Sequence, residues 1–346
     1  MKTIVLTGGG TAGHCTPNLA LIEQLYKHFD KIYYIGSQGG IEENLVKEKN
    51  IPYFSIPCVK LVRNNVTKNL SLPFKFISSI KSAKKILKDL KPNVVFSKGG
   101  YVGLPVTISA SQLNIPVIVH ESDLTLGLSN KIASKFALKT LTSFESTANA
   151  VKNGLYVGSP IKKQLFEVSK STALRHFNFK TDKPVLLITG GSLGAKKINE
   201  TAIKILPKLL KDFYVLHLVG KGNLSSFSHP DYRQIEFYDM KYCYNACDFA
   251  ISRAGANTAF ELIALNIPTL FIPLPKGNSR GDQVDNAKYF ASKNLALLLE
   301  QENLNETTLL TEIRNLVRNK TLLVDNMSRL PNVNANEKIV EILNKY

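Results

Sequence analysis

The sequence predicts an α/β protein composed of two Rossmann-like, doubly wound domains that face one another across a cleft. Short aliphatic runs that end in glycines alternate with helical patterns along the chain, as expected for parallel sheets packed against helices. Each half opens with such a run, Ile4–Thr7 or Pro184–Thr189, whose last threonine leads into a Gly-Gly pair, a hydroxyl residue and a Gly or Ala turn. The tetrapeptide Leu-Asn-Ile-Pro also precedes an aliphatic run in each half, at 113–116 and 265–268. This internal repetition favours two similar domains over one large sheet.

A chain of 346 residues, of which 44% are hydrophobic, is large enough for two packed α/β domains of ordinary size. We expect residues 1–161 and a C-terminal helix at 331–346 to form the first domain, and residues 162–330 to form the second. No apolar run approaches the roughly 20 residues that a membrane span needs. The run after Met1 breaks into glycines too early for a signal-peptide core. The four cysteines are scattered and lack further metal-ligand partners, so reduced thiols and a cytoplasmic protein are expected.

The net charge of +17 is most concentrated in one segment of the first half. Between Lys60 and Lys91 the chain has nine basic residues and a single acidic residue, Asp89. Three interpretations of this basic segment stay open: an anionic membrane surface as partner, nucleic acid as partner, or a solvated lysine-rich surface. Nucleic acid is disfavoured because no motif of a nucleic-acid reader accompanies the charge.

The loop after the first strand, Gly8–His14, formally satisfies the G-x-G-x-x-G pattern of dinucleotide-binding proteins. In those proteins the second strand ends in an acid that binds the ribose, whereas here Lys31–Ile35 is followed by Gly36 and Ser37. The NAD interpretation is therefore disfavoured. The glycines instead indicate that a large polar ligand approaches the backbone, with His14 at the edge of the loop as either a structural or a functional group.

The segment Lys75–Leu90 is predicted to be a helix in which apolar residues alternate with lysines. The apolar positions here and just upstream suit either the protein core or a lipid headgroup layer. They are Leu70, Leu72, Phe74, Phe76, Ile77, Ile80, Ile86, Leu87 and Leu90. A strand at Val94–Ser97, a helix at Pro105–Leu113 and a strand at Val117–Val119 follow. His120–Asp123 then stands at the carboxyl end of a strand, where open α/β sheets bind ligands.

The second half repeats this pattern and carries the more specific signal. It opens with a polar helical segment at Lys162–Lys183. Further on, a buried strand at Asp248–Ser252 leads through small residues into a helix at Thr258–Leu265, whose first N–H groups are available to an anion. Glu261 lies one turn into this helix, where a carboxylate can accept the hydroxyls of a ribose. A strand at Thr269–Ile272 follows. This order is typical of half a nucleotide-sugar site, although an ordinary βαβ unit with a tight turn shows it too.

Taken together, these residues resemble the MurG family, the transferases that add N-acetylglucosamine to lipid I. Six motifs carry the resemblance, in order along essentially the whole chain: Gly8–His14 with Pro17–Ala20, Lys98–Tyr101, His120–Glu121, Gly190–Ala195, Ser252–Glu261 and Ser279–Gln283. The resemblance implies the GT-B architecture, with the donor nucleotide mainly on the second domain. It implies inverting transfer from UDP-N-acetylglucosamine to the C4 hydroxyl of the muramyl residue of lipid I. The product would be lipid II for peptidoglycan synthesis, made at the cytoplasmic face of the cell membrane by a peripheral protein.

By position, the resemblance implies a set of residues that bind UDP-N-acetylglucosamine: Thr11, Ala12, Gly13, Asp123, Lys162, Ser192, Phe237, Ala256, Asn257, Thr258, Glu261 and Gln283. Ser192 and its turn would hold the diphosphate, together with the helix start at 256–258. Glu261 would take the ribose, and the backbone near Phe237 would take the uracil. Gln283 would contact the sugar hydroxyls.

His14 resembles the general base of the family, with Glu121 or Asp123 next in line for that role. The chain departs from the family at two positions, since Asp123 and Lys162 stand where Asn and Arg are frequent. An aspartate cannot donate a hydrogen bond to an acetamide carbonyl, and a lysine cannot hold a phosphate bidentately.

The implied reaction uses no cofactor. No Asp-x-Asp motif is present to bring a metal, so helix N-termini and backbone amides would stabilise the leaving diphosphate. Three alternatives stay open: a GT-B transferase that acts on diacylglycerol, a UDP-sugar epimerase of the same fold, and a basic nucleic-acid-binding protein. The epimerase would need more acid/base carboxylates than these motifs offer.

Overall fold

Two parallel β-sheets, each interleaved with helices along the chain, make up the protein in the computed structural model. They belong to two units, Met1–Lys162 with Asn332–Tyr346 and Lys163–Pro331. Each junction lies one residue after the boundary expected from the sequence. The structure describes residues 1–58, 72–191, 194–277, 280–331 and 333–346. Leu70 and the basic residues from Lys60 to Lys68 lie outside these ranges.

The first unit contains strands β1 (Thr3–Thr7), β2 (Lys31–Ser37), β3 (Tyr53–Ile56), β4 (Val94–Ser97), β5 (Val117–Glu121), β6 (Lys139–Thr142) and β7 (Gly154–Tyr156). They pair in parallel in the order β3-β2-β1-β4-β5-β6-β7. Successive strands are therefore added on one side of β1 up to β3, and on its other side from β4 onward. The boundary between β1 and β4 is the switch point, where doubly wound sheets bind ligands. Thr7 pairs with Ser97, so the loops after these two strands start level with each other.

Among the described residues, these strands are connected by helices α1 (Ala12–Leu25), α2 (Ile41–Lys47), α3 (Leu72–Leu90), α4 (Gly100–Gln112), α5 (Leu128–Ala133) and α6 (Glu145–Asn149). Successive residues of a strand point to opposite faces of the sheet, and both faces of β1 are buried. Ile4 and Leu6 join a core cluster with Leu21 and Leu25 of α1, whereas Val5 joins a second cluster with residues of α3 and α4. Helices thus cover the sheet on both sides.

The second unit contains strands β8 (Val185–Thr189), β9 (Tyr214–Leu218), β10 (Tyr232–Ile235), β11 (Phe249–Ser252), β12 (Thr269–Phe271) and β13 (Leu297–Leu298). They pair in parallel in the order β10-β9-β8-β11-β12-β13, which repeats the order of the first sheet. The switch point lies between β8 and β11, and there Thr189 pairs with Ser252. The internal repetition in the sequence therefore corresponds to a repeated topology.

The helices of the second unit are α7 (Lys170–His176), α8 (Lys196–Leu209), α9 (Met240–Ala246), α10 (Ala256–Ala264), α11 (Asp282–Ser292), α12 (Glu306–Arg318) and α13 (Lys320–Ser328). The last helix, α14 (Asn336–Leu343), packs on the first unit, where Ile339 and Leu343 join the core cluster of Ile4. Asn336 holds this return of the chain: its Nδ2 donates to the Ile161 carbonyl at 2.6 Å, and its Oδ1 accepts from the Ile161 N–H at 3.0 Å.

Two helices of the first unit start earlier than the sequence predicts. α4 begins at Gly100 and not at Pro105, because Gly99, with φ of 83°, turns the chain directly out of β4. α3 begins at Leu72 with Pro73 in its first turn, where a proline costs no intrahelical hydrogen bond. Residues 79, 83 and 87 of α3 are buried, whereas Phe74 and Ile77, expected to suit core or lipid, are 77% and 51% exposed. Within the described residues, no helix is both long and apolar enough to cross a bilayer.

Two predictions for the second unit need correction. The segment Lys162–Lys183 is not one helix, since it forms a 3-10 turn at Lys163–Phe166 and then α7. The separate start of α7 has a local cause, because the Ser169 hydroxyl caps it by accepting from the Thr172 N–H. α10 begins at Ala256, two residues before the predicted start, because Gly255 is already its N-cap.

Candidate active site

His14 lies in the first turn of α1, directly after the glycine loop that follows β1. Its Nδ1 is 2.9 Å from the hydroxyl of Thr11, the N-cap residue of that helix, and its backbone N–H donates to the Thr11 carbonyl. When Nδ1 carries the proton and donates to Thr11, Nε2 holds a lone pair that can accept a proton from another group. The His14 ring is half-buried. This arrangement suits a general base whose orientation is set by its neighbour.

The loops after β1 and β4 are in contact. Gly100 has φ of 76°, and a Cβ at this residue would lie 2.5 Å from the Gly9 carbonyl oxygen and 3.5 Å from Cγ of His14. A side chain here would therefore push the two loops apart. The three glycines at 8–10 and the two at 99–100 thus allow His14 to lie where the two loops meet.

Glu42 binds the glycine loop that follows β1. The sequence analysis did not identify this residue. Its side chain is fully buried, with Oε2 accepting from the Gly10 N–H at 3.2 Å. Oε1 accepts from the backbone N–H and the hydroxyl of Ser37, at 2.9 and 2.5 Å. In dinucleotide-binding proteins an acid at the end of the second strand binds the ribose. The acid that the chain carries comes five residues later, in α2, and binds the protein's own loop.

Lys98 is a second group that the sequence analysis left without a role of its own. It follows β4 and is only 2% exposed. Its ammonium lies 2.6 Å from Nδ1 of His120 and 2.6 Å from the hydroxyl of Ser122. Nε2 of His120 is 3.0 Å from the Gly158 carbonyl, which can only accept, so Nε2 carries the proton and Nδ1 accepts from Lys98. Both hydrogen bonds of the buried ammonium therefore go to uncharged acceptors.

Burial dominates the electrostatics of this cluster. It lowers the pKa of Lys98 to about 7, although the negative charges of Glu121 and Asp123 act in the opposite direction. It also lowers the pKa of His120 well below its usual value, and the nearby Lys98 cation lowers it further. His120 is therefore neutral at physiological pH, and Lys98 changes its charge close to neutrality.

Glu121 does not fit the role of a reserve general base. Its Oε1 accepts from the N–H groups of Ser122 and Asp123, at 2.9 and 3.0 Å. Its Oε2 accepts from the Gly127 N–H and from Nδ2 of Asn130, both at 3.0 Å. Both carboxylate oxygens of Glu121 are therefore already engaged by the protein's own loop and helix α5. Glu121 shapes the loop that carries Asp123.

The other predicted residues of the first unit lie around the same sheet edge. Ala12 and Gly13 form the first turn of α1 with His14, and Asp123 is close enough to Lys98 to affect its charge. Lys162 lies near the start of α1 as well, as its effect on Cys15 shows. Burial raises the pKa of the Cys15 thiol to about 11, whereas a hydrogen bond with Tyr34 and the positive charge of Lys162 each lower that pKa.

In the second unit, Gly194 lies close to the residue that follows β9. Gly194 has φ of 74°, and a Cβ there would lie 2.1 Å from the Val219 carbonyl oxygen. The same carbonyl accepts from Asn199 of α8 at 2.8 Å, and Oδ1 of Asn199 accepts from buried His217 at 3.1 Å. Burial lowers the pKa of His217 to about 4, so this support is uncharged. Ser192, predicted to hold the diphosphate, lies outside the described residues.

The start of α10 faces the same sheet edge from the end of β11. Gly255 is its N-cap and has no side chain to cap the helix, so the N–H groups at 256–258 lie at the positive end of the helix dipole. Arg253 fastens the preceding turn: it donates to the carbonyls of Ile272 and Pro273, both at 2.9 Å, and to Gln301 at 2.6 Å. The helix start is thereby tied to the end of β12.

Glu261 and Gln283 are held by different neighbours. Oε2 of Glu261 accepts from the hydroxyl of Tyr244 in α9 at 3.1 Å. Oε1 of Gln283 accepts from the Leu274 N–H at 3.0 Å, which ties the first turn of α11 to the chain after β12. Phe237 lies between β10 and α9 with 75% of its side chain exposed. In the part of the chain that the structure describes, no three His, Cys, Asp or Glu side chains converge to hold a metal ion.

Two family models match the chain in the order of its two units. The glycosyltransferase family 28 N-terminal domain matches residues 4–142, and the glycosyltransferase family 28 C-terminal domain matches residues 185–343. The first covers β1 to β6, and the second covers β8 to α14. Both sheets with their switch points therefore belong to recognised glycosyltransferase domains.

Full-length relatives agree with this assignment. A protein of Clostridium botulinum (strain Alaska E43 / Type E3), named UDP-N-acetylglucosamine--N-acetylmuramyl-(pentapeptide) pyrophosphoryl-undecaprenol N-acetylglucosamine transferase, is 44% identical over 99% of this chain and 97% of its own. A Lachnospira eligens protein of the same name is 43% identical over 99% of both chains. The crystal structure of Acinetobacter baumannii MurG matches with a TM-score of 0.78 and 26% identity over 100% of both chains. The predicted GT-B architecture is thus confirmed, and the chain belongs to the MurG family of glycosyltransferases.

Proposed function

We propose that the chain transfers N-acetylglucosamine from UDP-N-acetylglucosamine to the C4 hydroxyl of the muramyl residue of lipid I, giving lipid II for peptidoglycan synthesis. The observation that carries the proposal is the similarity over the full length to proteins whose names state this donor and a pyrophosphoryl-undecaprenol acceptor. Radiolabelled UDP-N-acetylglucosamine incubated with the protein and a lipid I analogue should yield a labelled disaccharide lipid. Epimerisation of the donor, or transfer to diacylglycerol instead, would contradict the proposal.

In this reaction the C4 oxygen of the acceptor forms a bond to the anomeric carbon as the bond from that carbon to the diphosphate breaks. The bonding electrons leave with UDP, and the configuration at the carbon is inverted. His14 is proposed to accept the hydroxyl proton at Nε2, with Thr11 holding Nδ1. The N–H groups at the start of α10 are proposed to face the leaving diphosphate, since the positive end of a helix dipole stabilises an anion.

The second unit is proposed as the donor-binding domain, and the first as the domain that faces the acceptor and the membrane. In the second unit, Glu261 is assigned to the ribose, Gln283 to the sugar hydroxyls, the backbone near Phe237 to the uracil, and Ser192 to the diphosphate. Asp123 and Lys162 are also proposed to contact the donor. Asp123 cannot donate a hydrogen bond as Asn would, and Lys162 cannot hold a phosphate bidentately as Arg would.

Replacing Glu261 with alanine is expected to weaken UDP binding by roughly 1.5–3 kcal/mol, because hydrogen bonds to a charged acceptor are lost. Isothermal titration calorimetry with UDP measures the loss directly. Glu302→Ala, which removes an exposed carboxylate of the same unit, is the matched control and should bind UDP like the parent. An unchanged UDP affinity in Glu261→Ala would show that the ribose is bound elsewhere.

We further propose that α3 binds an anionic membrane surface, as an enzyme with a lipid-linked acceptor requires. Phe74, Ile77, Lys81, Lys85 and Lys88 are exposed and follow one another at intervals of three or four residues, so they share one face of the helix. Apolar side chains at one end and cations along the rest suit a helix that lies on a lipid headgroup layer. This surface is called the α3 stripe below.

Changing Lys81, Lys85 and Lys88 of the α3 stripe to glutamate is expected to reduce binding to phosphatidylglycerol vesicles on the order of a hundredfold. Each cation near an anionic surface contributes about 1 kcal/mol, so three together contribute about 3 kcal/mol. Lys84 is left unchanged because its side chain donates to Gln112. Vesicle sedimentation measures the change, and UDP binding should stay as it is.

The control variant changes Lys180, Lys208 and Lys211, three exposed lysines of the second unit, to glutamate. It alters the net charge equally and should keep most vesicle binding. If both variants lose binding to the same extent, the effect belongs to net charge and the α3 stripe is only a solvated surface.

A further inference from the structure

The hydroxyl of Tyr244 contacts the carboxylate that the proposed function assigns to the ribose. Tyr244 lies in α9 and is 2% exposed, and its Oη is 3.1 Å from Oε2 of Glu261 in α10. Glu261 itself is half-buried. The contact therefore joins a fully enclosed side chain to one that is partly exposed.

The direction of this hydrogen bond follows from chemistry. A carboxylate without a proton can only accept, so the phenol donates. Burial raises the pKa of Tyr244 well above its usual value, and the negative charge of Glu261 raises it further, so the phenol keeps its proton at every physiological pH. The donor is thus permanent, and it holds one carboxylate oxygen of a flexible side chain in a single place.

Hydrogen bonds and burial anchor α9, the helix that carries the Tyr244 hydroxyl. Asp239 caps its start by accepting from the Lys241 N–H at 3.1 Å. Near its end, Nδ2 of Asn245 donates to the Leu165 carbonyl at 2.8 Å. The side chains of Cys243 and Tyr244 are buried beneath the helix. An anchored helix with a buried face therefore supports the Glu261 carboxylate from the side of the protein interior.

We propose that Tyr244 is a positioning residue for sugar recognition, which orients Glu261 so that the enzyme selects a ribonucleotide donor. The inference rests on the proposed function, because it requires that Glu261 binds the ribose hydroxyls. A carboxylate that is already oriented loses little freedom when the ribose binds, and preorganisation of this kind increases affinity. Without the phenol, Glu261 would still be present but would lose the hydrogen bond that Tyr244 donates to its Oε2.

The test compares UDP with 2′,3′-dideoxy-UDP, which lacks both hydroxyls, in Tyr244→Phe. The ratio of the dissociation constant for 2′,3′-dideoxy-UDP to that for UDP should fall at least about fivefold in the variant, since a hydrogen bond to a charged group is lost. The affinity for the dideoxy nucleotide should stay at the parent value, because the uracil and diphosphate contacts are untouched. Tyr232→Phe is the matched control: this buried tyrosine of the same unit donates to His217 and should leave the ratio unchanged.

Three outcomes would overturn the proposal or its basis, and they differ. An unchanged ratio in Tyr244→Phe, with Glu261→Ala lowering it, would show that Glu261 acts without help from Tyr244. Equal weakening of both nucleotides, together with a lower Tm, would assign Tyr244 a purely structural role. A parent-like ratio in Glu261→Ala would instead show that the ribose assignment within the proposed function is wrong.

Discussion

Replacing His14 with alanine is expected to lower kcat by about 10²–10⁴-fold, the usual contribution of a positioned general base. UDP affinity and Tm should change little, because the donor nucleotide is assigned to the second unit and His14 is half-buried in the first. His14→Asn should be nearly as slow, since an amide keeps hydrogen bonding but cannot take up a proton at neutral pH. Initial rates at saturating donor, with a soluble lipid I analogue, measure the effect.

His28→Ala provides the control for this experiment, because His28 is an exposed histidine of the same unit beyond the end of α1. It should retain the parent rate. If His14→Asn also kept close to the parent rate, His14 would hold geometry only. Glu121 would remain an unsuitable substitute, since both of its oxygens already accept from the surrounding loop. Asp123 would then be the carboxylate to test.

The second large effect is expected on stability, in Lys98→Met. The pKa of Lys98 is about 7 in the folded protein, against 10.5 for an ordinary lysine. Between these values the unfolded chain binds more protons than the folded one, so the free energy of unfolding rises with pH across this window. The rise amounts to several kcal/mol, since each unit of pKa shift is worth about 1.4 kcal/mol.

Methionine removes the buried charge and with it this pH dependence. Near pH 6 the variant should be more stable than the parent by a few kcal/mol, because the parent carries the cost of a buried ammonium. Near pH 10 it should be less stable by about 1–3 kcal/mol, because His120 and Ser122 each lose a hydrogen-bond donor. The difference between the two proteins therefore changes sign with pH.

Urea unfolding of both proteins at a series of pH values from 6 to 10 would measure this difference. Comparing the two proteins cancels the titration of the buried cysteine thiols, which both contain. Lys131→Met, at an exposed position of the same unit, should differ from the parent by the same amount at every pH. A constant difference for Lys98→Met would mean that Lys98 is not desolvated in the folded protein.

The repeated strands were predictable because a strand that is buried on both faces has to be continuously apolar. The run Val94–Ser97 forms β4 with its predicted bounds, and Ile4–Thr7 differs from β1 only by the addition of Thr3. Helix starts were less predictable. The glycine at 99 and the cap at Ser169 act through backbone geometry, which apolar periodicity does not record.

The ordered motifs identified the family because glycine turns, helix starts and single polar residues recur at set places along the chain. In the structure His14, Glu261 and Gln283 lie in α1, α10 and α11, the helices that follow β1, β11 and β12. Whether these residues do what the resemblance implies stays a prediction for each of them. The sequence carried no comparable signal for Glu42 or Tyr244, and it marked Lys98 only as the first residue of a motif, without a role.

The chain's own amino-acid order determined the two doubly wound domains and the family, since these depend on apolar runs and on residues that are close together in sequence. Only the tertiary structure decided what supports the site. Gly10 and Glu42 are 32 residues apart, Lys98 and His120 are 22 apart, and Tyr244 and Glu261 are 17 apart. Such pairs meet because parallel strands place their carboxyl ends side by side, and a hydrogen bond of about 3 Å depends on that register and not on the spacing along the chain.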